Sequence, residues 1–268
     1  MWLCLSGRQF EAAGGISKTV DEFIEFAASV GYKGVELRRG HASPETTDEE
    51  AGRIAGLLKQ HGIRCSFITG DEPGDEASVA SFKRVIDIAA TIGSYAVRCG
   101  GATLDHVPQY REVADTAAER GVKIITQIHN GTAFEIVPDC VAGMKAINHP
   151  NYGIAFEASH LVMASQPEHG AEAVKTLGDH ITAVSVQAYK PFDTADCYGG
   201  EIGIHGKKWG ACLPGAPGSP DLLSVFEGLR EIGFDGPVTV MPGSLQGGPT
   251  PEDQARVYYD TLEPLVNG

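Results

Sequence analysis

Residues 17–39 read SKTVDEFIEFAASVGYKGVELRR. Phe23 and Phe26 recur at helical spacing, so the segment 17–30 predicts an amphipathic helix that ends at a glycine. The segment 34–38 that follows is a short apolar run ending in charged residues, as expected of a buried strand. A helix, a glycine stop and a buried strand form one α/β unit, and the fold follows from the repetition of this unit.

The same alternation continues along the chain. It predicts eight strands, at 2–6, 34–38, 63–69, 95–99, 122–128, 152–156, 181–186 and 238–241. These strands are almost continuously apolar, which is typical of parallel strands covered on both faces. The sequence therefore predicts an α/β fold, a (β/α)8 TIM barrel that spans residues 1–268 as one domain. An open doubly wound sheet is the alternative, but Gly14-Gly15 does not match the G-x-G-x-x-G turn that it would need.

Composition restricts the class of partner. The chain has 268 residues and a formal net charge of −14, so contact with nucleic acid or an anionic membrane is disfavoured. No apolar run approaches the roughly 18 residues of a membrane span, and the N-terminus lacks the features of a signal peptide. The six cysteines form no C-x-x-C pair, which favours reduced thiols. We therefore expect a cytoplasmic protein with a small-molecule partner.

Polar side chains collect at the predicted carboxyl ends of the strands, where barrels of this type carry their active sites. They include Arg8, Glu36, Arg38, Arg98, Gln127, His129, Asn130, Glu157, His160, Ser185, Gln187, Tyr189 and Lys190. Because side chains alternate along a strand, Gln127 and His129 point the same way, as do Glu36 and Arg38. This convergence predicts a site for a small polar substrate.

Several segments resemble a known family in the right order along nearly the whole chain. They are residues 31–37 (GYKGVEL), 122–132 (VKIITQIHNGT), 151–160 (NYGIAFEASH), 178–187 and 232–238 (IGFDGPV). The sequence is similar to the xylose-isomerase-like barrel superfamily, which includes sugar-phosphate isomerases, epimerases and inosose dehydratases. The resemblance implies one divalent metal, held by Glu, Asp, His and Glu on the fifth to eighth strands.

The metal-ligand positions of this chain depart from that pattern. Carried over, they hold Gln127, Glu157, Ser185 (or Gln187 if the register differs by two) and Met241, with His160 retained from the D-x-x-H motif. One carboxylate remains of three, and Mg²⁺ and Mn²⁺ prefer anionic oxygen ligands. We therefore expect either no cofactor or one divalent ion. If an ion binds, the candidate ligands are Glu157, Gln127, His129 and Ser185, and histidine nitrogens would favour Zn²⁺.

The same substitutions bear on the reaction. In the family's epimerases two glutamates move the proton beside the carbonyl, and Gln127 and Met241 cannot accept it. The leading hypothesis is a divergent isomerase, epimerase or lyase acting on a sugar or sugar derivative, with Glu157, His129 and His160 as acid/base groups. The alternative is a non-catalytic carbohydrate-binding or structural barrel that has lost its metal site.

Further residues are candidates for substrate binding. They are Gln127, Gln187, Arg38, Arg98, Glu36, Lys190 and Trp209. The glutamines would bond sugar hydroxyls or merely fill vacated ligand positions, and the arginines would bind an anion or pair with a carboxylate. Trp209 lies in the long segment 188–219, predicted to be irregular, which is either a lid whose Trp stacks on a sugar or a solvated loop. The part 200–209 could also mediate contact in a homo-oligomer.

Overall fold

Eight parallel strands form a closed barrel in the computed structural model, which describes residues 1–12, 14–193, 196–242 and 247–268. The strands are β1 Trp2–Ser6, β2 Gly34–Leu37, β3 Arg64–Thr69, β4 Ser94–Cys99, β5 Lys123–Gln127, β6 Tyr152–Phe156, β7 Ile181–Val186 and β8 Pro237–Val240. Strand β1 closes the ring, because it pairs in parallel with β2 on one side and with β8 on the other. The predicted barrel and all eight predicted strands are thus confirmed, with ends shifted by a residue or two.

Nine helices in the described part of the chain alternate with the strands. They are α1 Val20–Val30, α2 Asp48–His61, α3 Glu76–Ile92, α4 Val107–Glu119, α5 Val137–Ile147, α6 Ala158–Met163, α7 Ala171–Leu177, α8 Leu222–Glu231 and α9 Pro251–Asn267. The first begins three residues later than predicted, because Thr19 and Glu22 form a reciprocal capping box. Ser17 instead donates to the Phe10 carbonyl. None of the helices in the described part is long and apolar enough to cross a membrane.

The barrel interior is filled by a layer of buried apolar side chains. This layer consists of Phe67, Ala96, Ile125, Ala155, Ala183 and Met241. One large ring and several alanines occupy the same level, so the side chains fill the interior and leave no pore. The polar groups of the site lie beyond this layer, at the carboxyl ends of the strands.

The segment 188–219 is more ordered than predicted. Three antiparallel strands, Tyr189–Pro191, Lys207–Ala211 and Tyr198–Ile204, form a small sheet within it. The prediction of an irregular loop was wrong because the glycines within and between these strands resemble loop composition. The short helix α6, directly after β6, was also not predicted.

The turn after β4 depends on a glycine. Gly101 has φ +69°, and a Cβ there would overlap the Thr126 Oγ1 atom. Gly121 has a similar φ of +70°, but no described atom lies within 4 Å of its would-be Cβ.

We expect Gly101→Ala to lower the free energy of unfolding by about 3 kcal/mol, the sum of backbone strain and overpacking. Gly121→Ala should cost only about 1 kcal/mol, since strain acts there alone. Urea denaturation of both variants measures the difference, and equal losses would contradict the steric argument.

Candidate active site

Glu157 and His160 are brought together by the junction of β6 and α6. Glu157 directly follows the strand and is the N-cap of the helix, so His160 lies almost one helical turn above it. The Glu157 Oε1 and His160 Nε2 atoms are 3.9 Å apart. Both atoms are buried and have no hydrogen-bond partner among the described residues, and the same holds for the buried Ser185 hydroxyl. Buried polar atoms are nearly always paired in folded proteins, so two unpaired atoms 3.9 Å apart indicate a ligand site.

The other side of the His160 ring is held by Asn130. The ring Nδ1 lies 2.7 Å from the Asn130 Oδ1 atom. Asn130 donates its amide Nδ2 to the His160 carbonyl at 2.9 Å and to Glu135 at 3.2 Å, which orients Oδ1 toward the ring. An amide oxygen only accepts, so His160 Nδ1 carries the proton and Nε2 offers a lone pair toward Glu157. Burial, His129 and two arginines hold the pKa of His160 well below its usual value, so the ring is neutral.

Gln127 connects Glu157 to Arg98. Its amide nitrogen donates to Glu157 Oε2, and its amide oxygen accepts from Arg98 Nη1. Glu157 is fully buried, and this burial raises its pKa to about 7 despite opposing contributions from Gln127, Arg8, Arg98 and Gln187. The carboxyl group can therefore gain and lose a proton near neutral pH, which suits a general acid or base.

Arg8 enters the site from the 3-10 turn Gly7–Phe10 that follows β1. Its Nη1 donates to the Gln187 Oε1 atom at 2.8 Å, and the Tyr189 hydroxyl donates to the same oxygen at 3.2 Å. Arg8 was noted in the sequence only for its position after a strand. Its contact with Gln187 could have been expected because both residues follow strands at the same end of the barrel, although 179 residues separate them.

A cavity of about 210 Å³ lies beside Arg8, Gln187 and Tyr189. It is lined by the polar side chains of Arg8, His129, Asn130, His160, Gln187 and Tyr189 and by the apolar side chains of Met163, Ile202 and Ile204. The two isoleucines belong to the strand Tyr198–Ile204 of the small sheet, which therefore forms a roof over the cavity. At the tip of this roof, His205 Nε2 lies 2.6 Å from Glu135 Oε1. The cavity is smaller than the ~300–1,000 Å³ of drug-sized sites, so it suits a small molecule.

His129 lies beside His160 at the wall of this cavity. The two ring centroids are 4.1 Å apart. His129 Nδ1 lies 2.9 Å from the Asn130 carbonyl oxygen, so it carries the proton and leaves Nε2 as the basic nitrogen. The structure thus brings the three predicted acid/base residues, Glu157, His129 and His160, into one cluster.

Glu36 and Arg38 form the ion pair that their alternation suggested. Glu36 is fully buried and accepts from Ser6 Oγ, from Arg38 Nη1 at 3.3 Å and from Thr69 Oγ1 at 3.4 Å. Arg38 also donates through Nε to Glu11 at 2.9 Å. Because the two charges are paired with each other, Glu36 and Arg38 organise the barrel mouth and have few free donors or acceptors for a substrate.

Of the seven predicted substrate-binding residues, Gln187 alone is among the described residues that line the cavity, and two of the others, Lys190 and Trp209, are held elsewhere. Lys190 Nζ pairs with Asp193 at 3.0 Å and Asp196 at 3.4 Å, within its own loop. Trp209 is buried against Met163 and Tyr189, which line the cavity, and Trp209 itself is not among the lining residues. The prediction of a Trp that stacks on a sugar is corrected by this packing: the roof presents Ile202 and Ile204 to the cavity.

The residues at the family's metal positions do not fit a Mg²⁺ or Mn²⁺ ion. The Gln127 oxygen is already engaged by a guanidinium, and Met241 packs in the apolar layer inside the barrel. A cation would also face the positive charges of Arg8 and Arg98, both of which act on Glu157. Within the described ranges, no group of three or more His, Cys, Asp or Glu side chains is arranged to hold a metal.

Comparison with known proteins shows which solved structures have a similar fold. No curated protein matches the sequence significantly. Solved structures of similar fold include L-ribulose 3-epimerase, with a TM-score of 0.76 and 13% identity over 99% of this chain and 94% of that one. The probable 3-DHS dehydratase AsbF from Bacillus anthracis has a TM-score of 0.75 and 14% identity, with 98% and 99% covered. The IOLI protein with a binding zinc atom has a TM-score of 0.75 and 18% identity, with 100% and 98% covered.

These identities are low, so the structural likeness supports the fold. The family itself is shown by a sequence model for the xylose isomerase-like TIM barrel, which matches residues 24–265. That match covers most of the chain, from α1 to α9. The chain therefore belongs to the xylose isomerase-like TIM barrel family.

Proposed function

We propose that this protein is an enzyme that moves a proton next to a carbonyl group of a small sugar or sugar derivative, as an isomerase, epimerase or related lyase. The observation that carries the proposal is the pair of buried, unpartnered atoms Glu157 Oε1 and His160 Nε2, 3.9 Å apart and beside a small cavity. The similar folds of an epimerase and a dehydratase support this reaction class.

The two groups have complementary roles. His160 is neutral, with its proton held on Nδ1 by Asn130, so Nε2 accepts a proton from the substrate carbon. Glu157 exchanges a proton near neutral pH, so it donates a proton to the substrate oxygen or to the neighbouring carbon. Gln127 orients the Glu157 carboxyl group by donating to its other oxygen. Asn130 acts as a positioning residue, because it determines which ring nitrogen is basic.

A test of this function begins with a thermal-shift screen of sugars, keto-sugars and sugar phosphates, since a ligand that binds the native state raises the unfolding midpoint. Compounds that bind are then incubated with the protein in D₂O, and NMR follows deuterium incorporation beside the carbonyl. We expect incorporation with the wild-type protein and a roughly 10²–10⁴-fold slower rate with His160→Gln, the usual contribution of a general base.

The matched control is His61→Gln, at the end of α2 and far from the barrel mouth. It should exchange deuterium at the wild-type rate. If compounds bind but none exchanges deuterium or is converted, the proposal fails and the non-catalytic carbohydrate-binding alternative stands.

A further inference from the structure

Two arginines in the site lack a carboxylate partner. Arg8 donates to the amide oxygen of Gln187 and Arg98 to that of Gln127, and both acceptors are neutral. No Asp or Glu oxygen in the described part of the chain lies within 4.0 Å of either guanidinium. The residues outside that part, at 13, 194–195 and 243–246, are Ala, Thr, Gly, Ser, Leu and Gln, so none of them could supply a carboxylate.

The charged groups around Arg8 and Arg98 include a third arginine that has its own carboxylate partners. Arg38 is the third arginine of the barrel mouth and is paired with Glu11 and Glu36. Burial and the charges of Arg38 and Arg8 lower the pKa of Arg98, although Glu36 and Glu157 act in the other direction. Arg8 and Arg98 are thus two cations without a contacting carboxylate among the described residues, in a chain whose net charge is −14. Both arginines are half-buried, and a half-buried cation without a contacting counter-ion is stabilised when an anionic ligand pairs with it.

We propose that Arg8 and Arg98 form an oxyanion-binding site at the barrel mouth, and that the substrate is a small polyhydroxylated molecule carrying a carboxylate or phosphate group. The claim that this molecule is a substrate rests on the proposed function, whereas the binding site is inferred from the two arginines alone. Guanidinium groups bind planar and tetrahedral oxyanions through paired N–H donors. Arg8 lines the cavity, and its described hydrogen bond to Gln187 uses one of its five N–H donors.

The site also gives the arginines an electrostatic role. Both guanidinium groups act on Glu157 and His160. Negative charge that develops on a substrate oxygen as a proton leaves the adjacent carbon would be stabilised by these fixed cations. Positive charge at this barrel end would then be supplied by side chains of β4 and of the turn after β1.

The experiment is isothermal calorimetry with four probes at constant ionic strength: gluconate, glucose 6-phosphate, inorganic phosphate and the neutral polyol sorbitol. We expect at least one oxyanion to bind at least tenfold more tightly than sorbitol. Preference for gluconate assigns a carboxylate, and preference for the two phosphates assigns a phosphoryl group. Equal or tighter binding of sorbitol would overturn the proposal.

Variants locate the site. Arg8→Met and Arg98→Met should each weaken oxyanion binding at least tenfold and leave sorbitol unaffected. Arg120→Met removes the same charge from an exposed surface pair with Asp87 and should bind as the wild type does. Unchanged oxyanion binding in Arg8→Met would overturn the proposal, and this variant decides the question if Arg98→Met does not fold.

The two proposals fail in different ways. If oxyanions bind through Arg8 but no compound exchanges deuterium, the oxyanion site stands and the enzymatic function falls. If a neutral sugar is turned over while oxyanions bind no better than sorbitol, the enzymatic function stands and the oxyanion site falls.

Discussion

Glu157→Gln is expected to slow turnover by orders of magnitude and, above pH 7, to increase the stability of the protein. Loss of a general acid or base costs about 10²–10⁴-fold in rate. The amide keeps the shape of the side chain, so its oxygen still accepts from Gln127, and its nitrogen can donate to the orphan Nε2 of His160. The substitution therefore removes the chemistry while preserving the packing.

The stability effect follows from the raised pKa of Glu157, about 7 in the folded protein against 4.5 for the unperturbed group. Between these values the folded state holds a proton that the unfolded state has released, so the free energy of unfolding falls as pH rises through this window. The full difference corresponds to about 3 kcal/mol. Glutamine does not titrate, so the variant should lose this pH dependence and melt several degrees above the wild type at pH 8.

The matched control is Glu36→Gln, the same change at the other fully buried carboxylate of the barrel mouth. Glu36 is bonded to Arg38 and Ser6, and removing its charge should destabilise the protein at pH 8. Thermal denaturation from pH 4.5 to 8 compares the two variants. If Glu157→Gln melts many degrees lower than the wild type and still binds ligands, Glu157 is instead a structural counter-ion of Arg8 and Arg98.

Restoring the family's ligands is expected to create a divalent metal site. The change combines Gln127→Glu, Glu157→Asp, Ser185→His and Met241→Glu. The pairing of β6 with β7 sets Phe156 opposite Val184. Glu157 and Ser185 are the next residues after this pair, so we expect the new histidine to lie beside the new aspartate. We expect micromolar Mn²⁺ affinity by calorimetry, against no binding at millimolar concentration for the wild type, a difference of at least about 4 kcal/mol.

Arg98 provides a sharper form of this test. Its guanidinium group bonds the side chain of Gln127, so after Gln127→Glu it would compete with the ion for the introduced carboxylate and would also repel the ion. Adding Arg98→Met to the four changes should therefore tighten Mn²⁺ binding further. A folded protein that binds no Mn²⁺ with Ser185→His, but does so with Gln187→His in its place, would show that the carry-over onto β7 is wrong by two residues.

The barrel could be predicted from the sequence because its signals are local. Helical periodicity in segments such as 17–30 and short apolar runs such as 152–156 each depend on neighbouring residues. Their order along the chain leaves few topologies, and a parallel barrel puts the carboxyl ends of all its strands on one face. The candidates Glu157, His160 and Gln127 could therefore be identified from position alone.

The tertiary structure decided which contacts these residues make. The proton position on His160 depends on Asn130, which is 30 residues away, and Arg8 meets Gln187 across 179 residues. Their place after β7 assigns Lys190 and Trp209 to the site. In the structure, however, Lys190 forms ion pairs and Trp209 is buried. Local spacing shows which residues reach the barrel mouth, whereas charge balance and proton positions depend on contacts between side chains from different strands, and those contacts exist only once the ring has closed.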